Sequence, residues 1–224
     1  MEIIPSILEP TASDYQKTLL KLSPYFSHFQ IDIADGIYVD NQTASIDEII
    51  QILTDKKFSH LAFDFHLMVK DYQTHIDKLK KLKDTIHIKN VLIHFDLYPN
   101  YSLLTTHYPL LSTGFVLNPQ DQVSELADKY NLKNIQSLQI MSVNPGRQGQ
   151  PFLPETLKKI EQLRLLGYRN KIFLDGGVNE KTIPQILAQK FLPDVLCPGS
   201  FLTKAGQENL SKRVYFLIEA AQRK

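Results

Sequence analysis

Lys171-Ile172-Phe173-Leu174-Asp175-Gly176-Gly177 is the stretch on which the fold turns. A short run of apolar, β-branched and aromatic residues ends on a carboxylate and passes into two glycines. Such a run reads as a buried strand with a turn behind it. Working outward, seven more runs of this kind occupy residues 2–8, 29–33, 61–67, 90–95, 114–118, 137–143 and 194–197. Between them the apolar spacing changes to about 3.6, the helical period. Tyr15, Leu19 and Leu22 share a face, as do Ile46, Ile49, Ile50 and Leu53, and Tyr72, Ile76, Leu79 and Leu82. Leu157, Ile160 and Leu163 follow Pro154, a first-turn proline. Ile183, Ile186 and Leu187 follow Asn179, read as an N-cap, and Leu210, Val214, Leu217 and Ile218 form the last helix. Residues 102–108 and 121–130 complete the helical set.

Strict strand–helix alternation implies a parallel sheet with right-handed crossovers. Eight strands in 224 residues give about 28 residues per unit, the size of a single compact (β/α)8 TIM barrel over residues 1–224. The rival is an open doubly wound sheet, but no GxGxxG follows the first strand. No linker, low-complexity tract or charge block divides the chain, and the lysines between 78 and 83 read as a solvated helix face.

Composition closes off several classes of function. The net charge of +1 argues against binding driven by nucleic-acid phosphates. The single cysteine, Cys197, allows neither an internal disulfide framework nor a cysteine-based zinc cage within one chain, and fits a reducing cytoplasm. No run approaches the ~18 consecutive apolar residues of a membrane span. The first residues lack a basic segment followed by an apolar one, so no secretory signal is expected and the mature chain is expected to begin near Met1.

In a barrel, function gathers at the C-terminal ends of the strands. Ser6, Asp32, His66 and Asp175 all lie late in their strands. A carboxylate inside an apolar strand is costly unless paired, hydrogen-bonded or metal-bound. Taken singly, a strand-end aspartate caps a turn and a lone histidine packs in a core; two aspartates and a histidine at one end point to a site. Asp64 shares the face of His66 and reads either as a supporting partner or as a member of a buried ion pair. His28, His60, His75, His87, His94 and His107 lack ligand spacing and read as surface or structural, although the strand of His94 also points toward the barrel. Glycine turns follow the last three strands, at Asn144-Pro145-Gly146-Arg147-Gln148-Gly149-Gln150, Gly176-Gly177 and Gly199-Ser200. Glycine lets backbone N–H groups approach an anion closely, so three such turns predict a phosphorylated small substrate.

These segments resemble the ribulose-phosphate 3-epimerase family over nearly the whole chain. The resemblance is carried by Pro5-Ser6-Ile7-Leu8, Ile31-Asp32-Ile33-Ala34-Asp35-Gly36, Phe65-His66-Leu67-Met68-Val69, Val116-Leu117-Asn118-Pro119, Met141-Ser142-Val143-Asn144-Pro145-Gly146, Gly149-Gln150-Pro151-Phe152, Leu174-Asp175-Gly176-Gly177-Val178-Asn179 and Gly199-Ser200. It implies a barrel of the ribulose-phosphate-binding type and an isomerase interconverting D-ribulose 5-phosphate and D-xylulose 5-phosphate. It implies Asp32 and Asp175 as the acid/base pair acting through an enediolate, since inversion needs groups on opposite faces. Ser6 and His66 would contact substrate, and Gly146, Arg147, Gly149, Gly176, Gly177, Gly199 and Ser200 would surround it and its phosphate. A divalent metal (zinc, manganese, iron or magnesium) is implied on Asp32, His66 and Asp175, stabilising charge on the substrate oxygens. A cytoplasmic homo-oligomer, with no nucleic-acid or membrane partner, completes what the resemblance implies.

The chain departs from the pattern at places that bear on chemistry. Gln30 stands where the family has its first metal histidine; it shares the face of Asp32, so it still points at the site. Its side-chain oxygen can bind metal but is a poorer zinc ligand than imidazole. His28 sits one further strand pair away, roughly 6–7 Å, too far to replace it. This leaves open a weakly held metal, a harder one such as manganese or magnesium, or none. Ala34 replaces a methionine, Ile37 a histidine, Asp40 a proline and Arg147-Gln148 the family's Phe-Gly. Arg147 reads as a phosphate contact or a solvent-facing lid residue, and a positive φ at Gln148 would cost energy. The alternatives kept beside the epimerase are a relative of altered specificity, for example toward a hexulose 6-phosphate; a non-catalytic relative binding a phosphorylated sugar or a protein; and another phosphate-binding barrel isomerase or decarboxylase.

Overall fold

The computed structural model describes residues 1–222. Nine parallel strands are β1 (Glu2–Ile3), β2 (Ser6–Ile7), β3 (His28–Ala34), β4 (Ala62–Met68), β5 (His87–His94), β6 (Thr113–Leu117), β7 (Ser137–Met141), β8 (Lys171–Asp175) and β9 (Val195–Cys197). The first expected strand is therefore two pieces flanking Ile4-Pro5, because Pro5 has no N–H to give the ladder. The helices are α1 (Ala12–Leu22), α2 (Ile46–Leu53), α3 (Tyr72–Lys80), α4 (Tyr101–His107), α5 (Val123–Lys129), α6 (Lys158–Leu165), α7 (Ile183–Leu187), α8 (Ser200–Thr203) and α9 (Gln207–Gln222).

Closure is decided at residues 2–7. β1 pairs with β9 and β2 with β3, so one short segment joins the two ends of the sheet. Ile4 N–H donates to Leu196 on one side, while Gln30 N–H donates to Pro5 on the other. The open sheet is thereby excluded, and the alternating sequence forms a barrel. Strand alternation then sorts side chains to two faces. On β3, Phe29, Ile31 and Ile33 join the large apolar layer beneath the helices, with Phe63, Phe65 and Leu67 of β4 beside them. Gln30 and Asp32, and Asp64 and His66, take the opposite, inner face and are buried.

Local sequence explains several helix starts. The Thr11 hydroxyl accepts from Asp14 N–H ahead of α1, and Ser45 and Glu48 form a reciprocal capping box ahead of α2. Asn179 does not cap α7 directly. Its side chain accepts from Lys181 N–H in a preceding turn, and the helix begins only after Thr182. Pro154 opens a 3-10 turn that leads into α6. No helix among the described residues is long and apolar enough to cross a membrane.

Candidate active site

The inner face of the barrel carries two kinds of layer. Ile4, Phe173, Val195 and Cys197 fill one part with apolar side chains, and Leu92, Val116, Met141 and Val143 fill another. Against them stands a polar group: Gln30, Asp32, His66, His94, Gln139 and Asp175, all buried. Asp32 pairs in register with His66 between β3 and β4, and Asp175 is the last residue of β8. The Tyr15 hydroxyl of α1 donates to the Asp32 carbonyl and ties that point of β3 to the outer helix.

The expected metal group assembles. Ligand atoms of Asp32, His66 and Asp175 lie within 4.8 Å of one another, a buried trio that can hold a metal ion. His66 Nδ1 lies 3.1 Å from Asp32 Oδ1 and 3.7 Å from Asp175 Oδ2. Gln30 reaches the same point from below. Its amide nitrogen donates to Asp32 Oδ1 at 2.8 Å and to Asp175 Oδ2 at 2.6 Å. Its Oε1 is buried without a partner. A carboxamide can present either end. With nitrogen inward Gln30 clamps the carboxylates together; with oxygen inward it would offer a fourth ligand of the hard, oxygen type. The donor set therefore fits a divalent cation, with two carboxylates, one imidazole and one carboxamide around the position.

Burial first, and then the nearby charge of Asp32, push the Asp175 carboxyl up to about 7; His66 and the Gln30 hydrogen bond oppose the rise. Gln139 was not among the expected site residues. Its amide nitrogen lies 3.0 Å from Asp175 Oδ2 and 3.3 Å from His66 Nδ1. The signal was present: a glutamine at an inward position of an otherwise apolar strand, two residues before Met141. His94, read as surface or structural on a strand that points toward the barrel, is fully buried, and its Nε2 lies 2.9 Å from His66 Nε2. Burial, and then His66, hold the His94 ring well below the ordinary histidine range, so it is neutral.

Above this group the cleft opens between the strand ends. Asp32, His66 and Asp175 line its floor and Ser6 one wall. Gly146, Arg147 and Gly149 border it from the turn after β7, Gly176 and Gly177 from the turn after β8, and Gly199 and Ser200 from the turn after β9. Gly176 has φ of +109°, and a Cβ there would meet Val143 at 2.5 Å, so glycine is required where the chain passes the mouth. Arg147, read as a phosphate contact or a lid residue, stands at the rim of the cleft. Its guanidinium binds the Asp40 carboxylate at 2.6 Å and the Asp40 carbonyl at 3.0 Å, joining the loops after β7 and β3 across the rim. Gln148 carries no positive φ, so the expected strain is absent; Tyr98 alone among described non-glycine residues adopts one.

At the far end of the barrel Asp64 proves to be an ion-pair member. His28 Nε2 lies 3.0 Å from Asp64 Oδ2, and Asn90 donates to Asp64 Oδ1 at 2.7 Å. Burial lowers the His28 pKa, but hydrogen bonds to Asp64 and Glu2 outweigh it and raise it to about 9.

Comparison with known proteins agrees with this architecture. The chain is similar to a mutant tryptophan synthase α-subunit from Pyrococcus furiosus, with a TM-score of 0.66 at 17% identity, covering 97% of this chain and 98% of that one. That likeness concerns the fold. Among curated proteins, the ribulose-phosphate 3-epimerase of Methanocaldococcus jannaschii is 31% identical over 198 residues, 86% of this chain and 79% of the relative. That of Helicobacter pylori is 30% identical over 219 residues, 94% of each chain. The model of the ribulose-phosphate 3 epimerase family matches residues 2–201. With its barrel closed, its aspartates at the strand ends and that match across most of its length, the chain belongs to the ribulose-phosphate 3-epimerase family.

Proposed function

We propose that the protein is a sugar-phosphate 3-epimerase, an isomerase that interconverts D-ribulose 5-phosphate and D-xylulose 5-phosphate. The observation that carries this reading is the pair of buried carboxylates, Asp32 and Asp175, held by one amide at the floor of a cleft walled by glycine turns. The two come from strands separated around the barrel by β9 and residues 2–7, so they enter the cleft from different sides. One removes the C3 proton and the other returns a proton to the opposite face, by way of an enediolate. A carboxyl raised to about 7 is suited to giving and taking a proton near neutrality. Gly176, Gly177, Gly199 and Ser200 take the phosphate end, where backbone N–H groups can approach an anion. Ser6 holds substrate oxygens, and Met68 and Met141 form an apolar wall of the same cleft.

Asp32, His66, Asp175 and the Gln30 carboxamide oxygen would hold the metal. When bound, a divalent cation supplies Lewis-acid stabilisation of charge developing on the substrate oxygens. The oxygen-rich set favours manganese, magnesium or iron over zinc. The reading carries with it a cytoplasmic enzyme that assembles from identical subunits, which sedimentation of the purified protein checks.

The decisive experiment is solvent exchange. Ribulose 5-phosphate is incubated with the protein in heavy water, first with chelator and then with each metal. Deuterium at C3 accompanied by xylulose 5-phosphate supports the proposal. Absence of exchange in every condition, with bound substrate demonstrated calorimetrically, sinks it in favour of a ligand-binding relative.

A further inference from the structure

The cleft continues past its phosphate end. Gly149, Asn179 and Ser200 border it on that side, and the same three residues begin a second depression on the outer surface. This groove holds about 340 Å3 and is walled by the turn before α7, by α8 and by α9. The space at the junction is open, since a Cβ at Gly149 would meet nothing within 4 Å.

Three cations line the groove, Lys181, Lys204 and Arg213, against one carboxylate, Glu180. On a chain whose net charge is +1, that is a local excess. Elsewhere on the surface cations have carboxylate partners, as Arg147 has Asp40 and Arg164 has Asp194. Among the described residues, none of the four charged groups of the groove enters an ion pair. Arg213 is the fixed point. Its Nη1 donates to the Phe201 carbonyl at 2.7 Å, and its guanidinium lies 4.8 Å from the Phe201 ring centre. A half-buried cation is thereby held one residue along from Ser200, with further N–H groups of its planar fork left to bind an anion. Lys21 Nζ donates to the Thr203 and Ala205 carbonyls at 2.8 and 2.7 Å, which offsets the partial negative charge at the end of α8.

We infer that this groove is a second anion subsite, continuous with the phosphate end of the cleft, and that the two together take a diphosphate group. One phosphoryl sits at the glycine turns, which rests on the sugar-phosphate reading of the cleft; the next lies between Lys181, Lys204 and Arg213. A ketose monophosphate leaves the groove unfilled, because its phosphate ends the molecule at Ser200. Beyond a phosphate, the anionic group that extends it directly is a second phosphate. That group carries the charge that unpaired ammonium and guanidinium groups bind in charge-assisted hydrogen bonds. A diphosphate seated in both positions blocks the cleft, so a molecule of this class competes with the sugar phosphate.

The test is calorimetry on full-length, chelator-treated protein, where a diphosphate cannot act by withdrawing metal. Inorganic phosphate and inorganic pyrophosphate are titrated, each alone and against ribulose 5-phosphate. Both are expected to compete with the sugar phosphate, pyrophosphate about tenfold more tightly, the worth of two or three exposed charge contacts. The double variant Lys181→Gln, Lys204→Gln alters only exposed side chains. It should erase that advantage and leave phosphate affinity and metal-loaded C3 exchange as in the wild type. Lys56→Gln with Lys57→Gln, the same charge change ahead of β4 at the other end of the barrel, should leave the advantage intact. ADP separates the sources: tighter binding than pyrophosphate assigns the groove to a diphosphate borne on a nucleoside, weaker binding to the free ion, and either supports the subsite. Equal affinities for phosphate and pyrophosphate overturn the inference. So does an advantage that survives the groove variant, or one lost equally in the control, which would be attraction at a distance. Should ribulose 5-phosphate neither bind nor exchange, the epimerase reading falls, and the pyrophosphate comparison still decides the subsite.

Discussion

The amide nitrogen of Gln30 lies 2.6 Å from Oδ2 of Asp175, the length of a charge-assisted hydrogen bond. It places a neutral donor at the point where the family carries an imidazole ligand. The Gln30→His variant should therefore bind zinc more tightly, by about tenfold or more, and shift the preference from manganese toward zinc. Competition calorimetry with both metals measures it, and an unchanged zinc-to-manganese ratio would show that position 30 does not contact the ion.

The two aspartates should be separable by stereochemistry. Asp32→Asn and Asp175→Asn are each expected to lower net epimerisation about 10²- to 10⁴-fold, the ordinary worth of a positioned acid or base. Because each serves one face, each variant should retain slow C3 exchange from one epimer only, opposite between the two. Exchange of both epimers in either variant would point to a single base.

Metal binding should be proton-linked. With the Asp175 carboxyl raised to about 7, a cation must displace a proton below that pH and need not above it. Affinity should fall about tenfold per pH unit below 7 and level off above. Calorimetry at pH 6 in two buffers of different ionisation heat should count about one released proton. An identical apparent enthalpy in both buffers would contradict the raised carboxyl.

Stability should vary with pH at the opposite end of the barrel. The folded His28 pKa of about 9 lies above its ordinary 6.5, so the folded chain holds that proton more firmly. Its contribution is fully present below 6.5 and is lost as pH rises through 9, on the order of 3 kcal/mol. Glu2, lowered by its His28 hydrogen bond to about 2, contributes above 4.5 and loses that as pH falls. Urea midpoints of the wild type should therefore drop between pH 6.5 and 9, and His28→Gln should flatten that slope.

Much of this arrangement was legible in the residues. The alternation of strand and helix specified the barrel, and Asp32, His66 and Asp175 stood out because a titratable group inside an apolar strand needs a reason. What escaped notice depended on three-dimensional neighbours. His94 looked ordinary because its neighbours, His66 and Tyr38, come from a different strand and a distant loop. Gln139 carries no charge, so it raised no alarm, although an amide buried at an inward position makes the same demand for partners as a carboxylate. The choice between the two readings of Arg147 could not be made from sequence, because its partner Asp40 lies 107 residues earlier in the chain. Asp64 could not be assigned until His28 was seen beside it.

The segment that closes the barrel has a consequence for biosynthesis. Residues 2–7 are made before the rest of the barrel, yet the backbone N–H groups of Glu2, Ile4 and Ser6 donate to Asp194, Leu196 and Pro198 near its far end. Until those emerge, the nascent sheet keeps two unsatisfied edges, one at its oldest strand and one at its newest. Such edges invite pairing with other chains. Joining them is a contact of very high sequence separation, the kind that forms late and slowly. The nascent chain is thus open to chaperones and to aggregation until its last stave is made, and mutations that weaken pairing between Ile3 and Leu196 should lower the yield of folded protein more than the activity of what has folded.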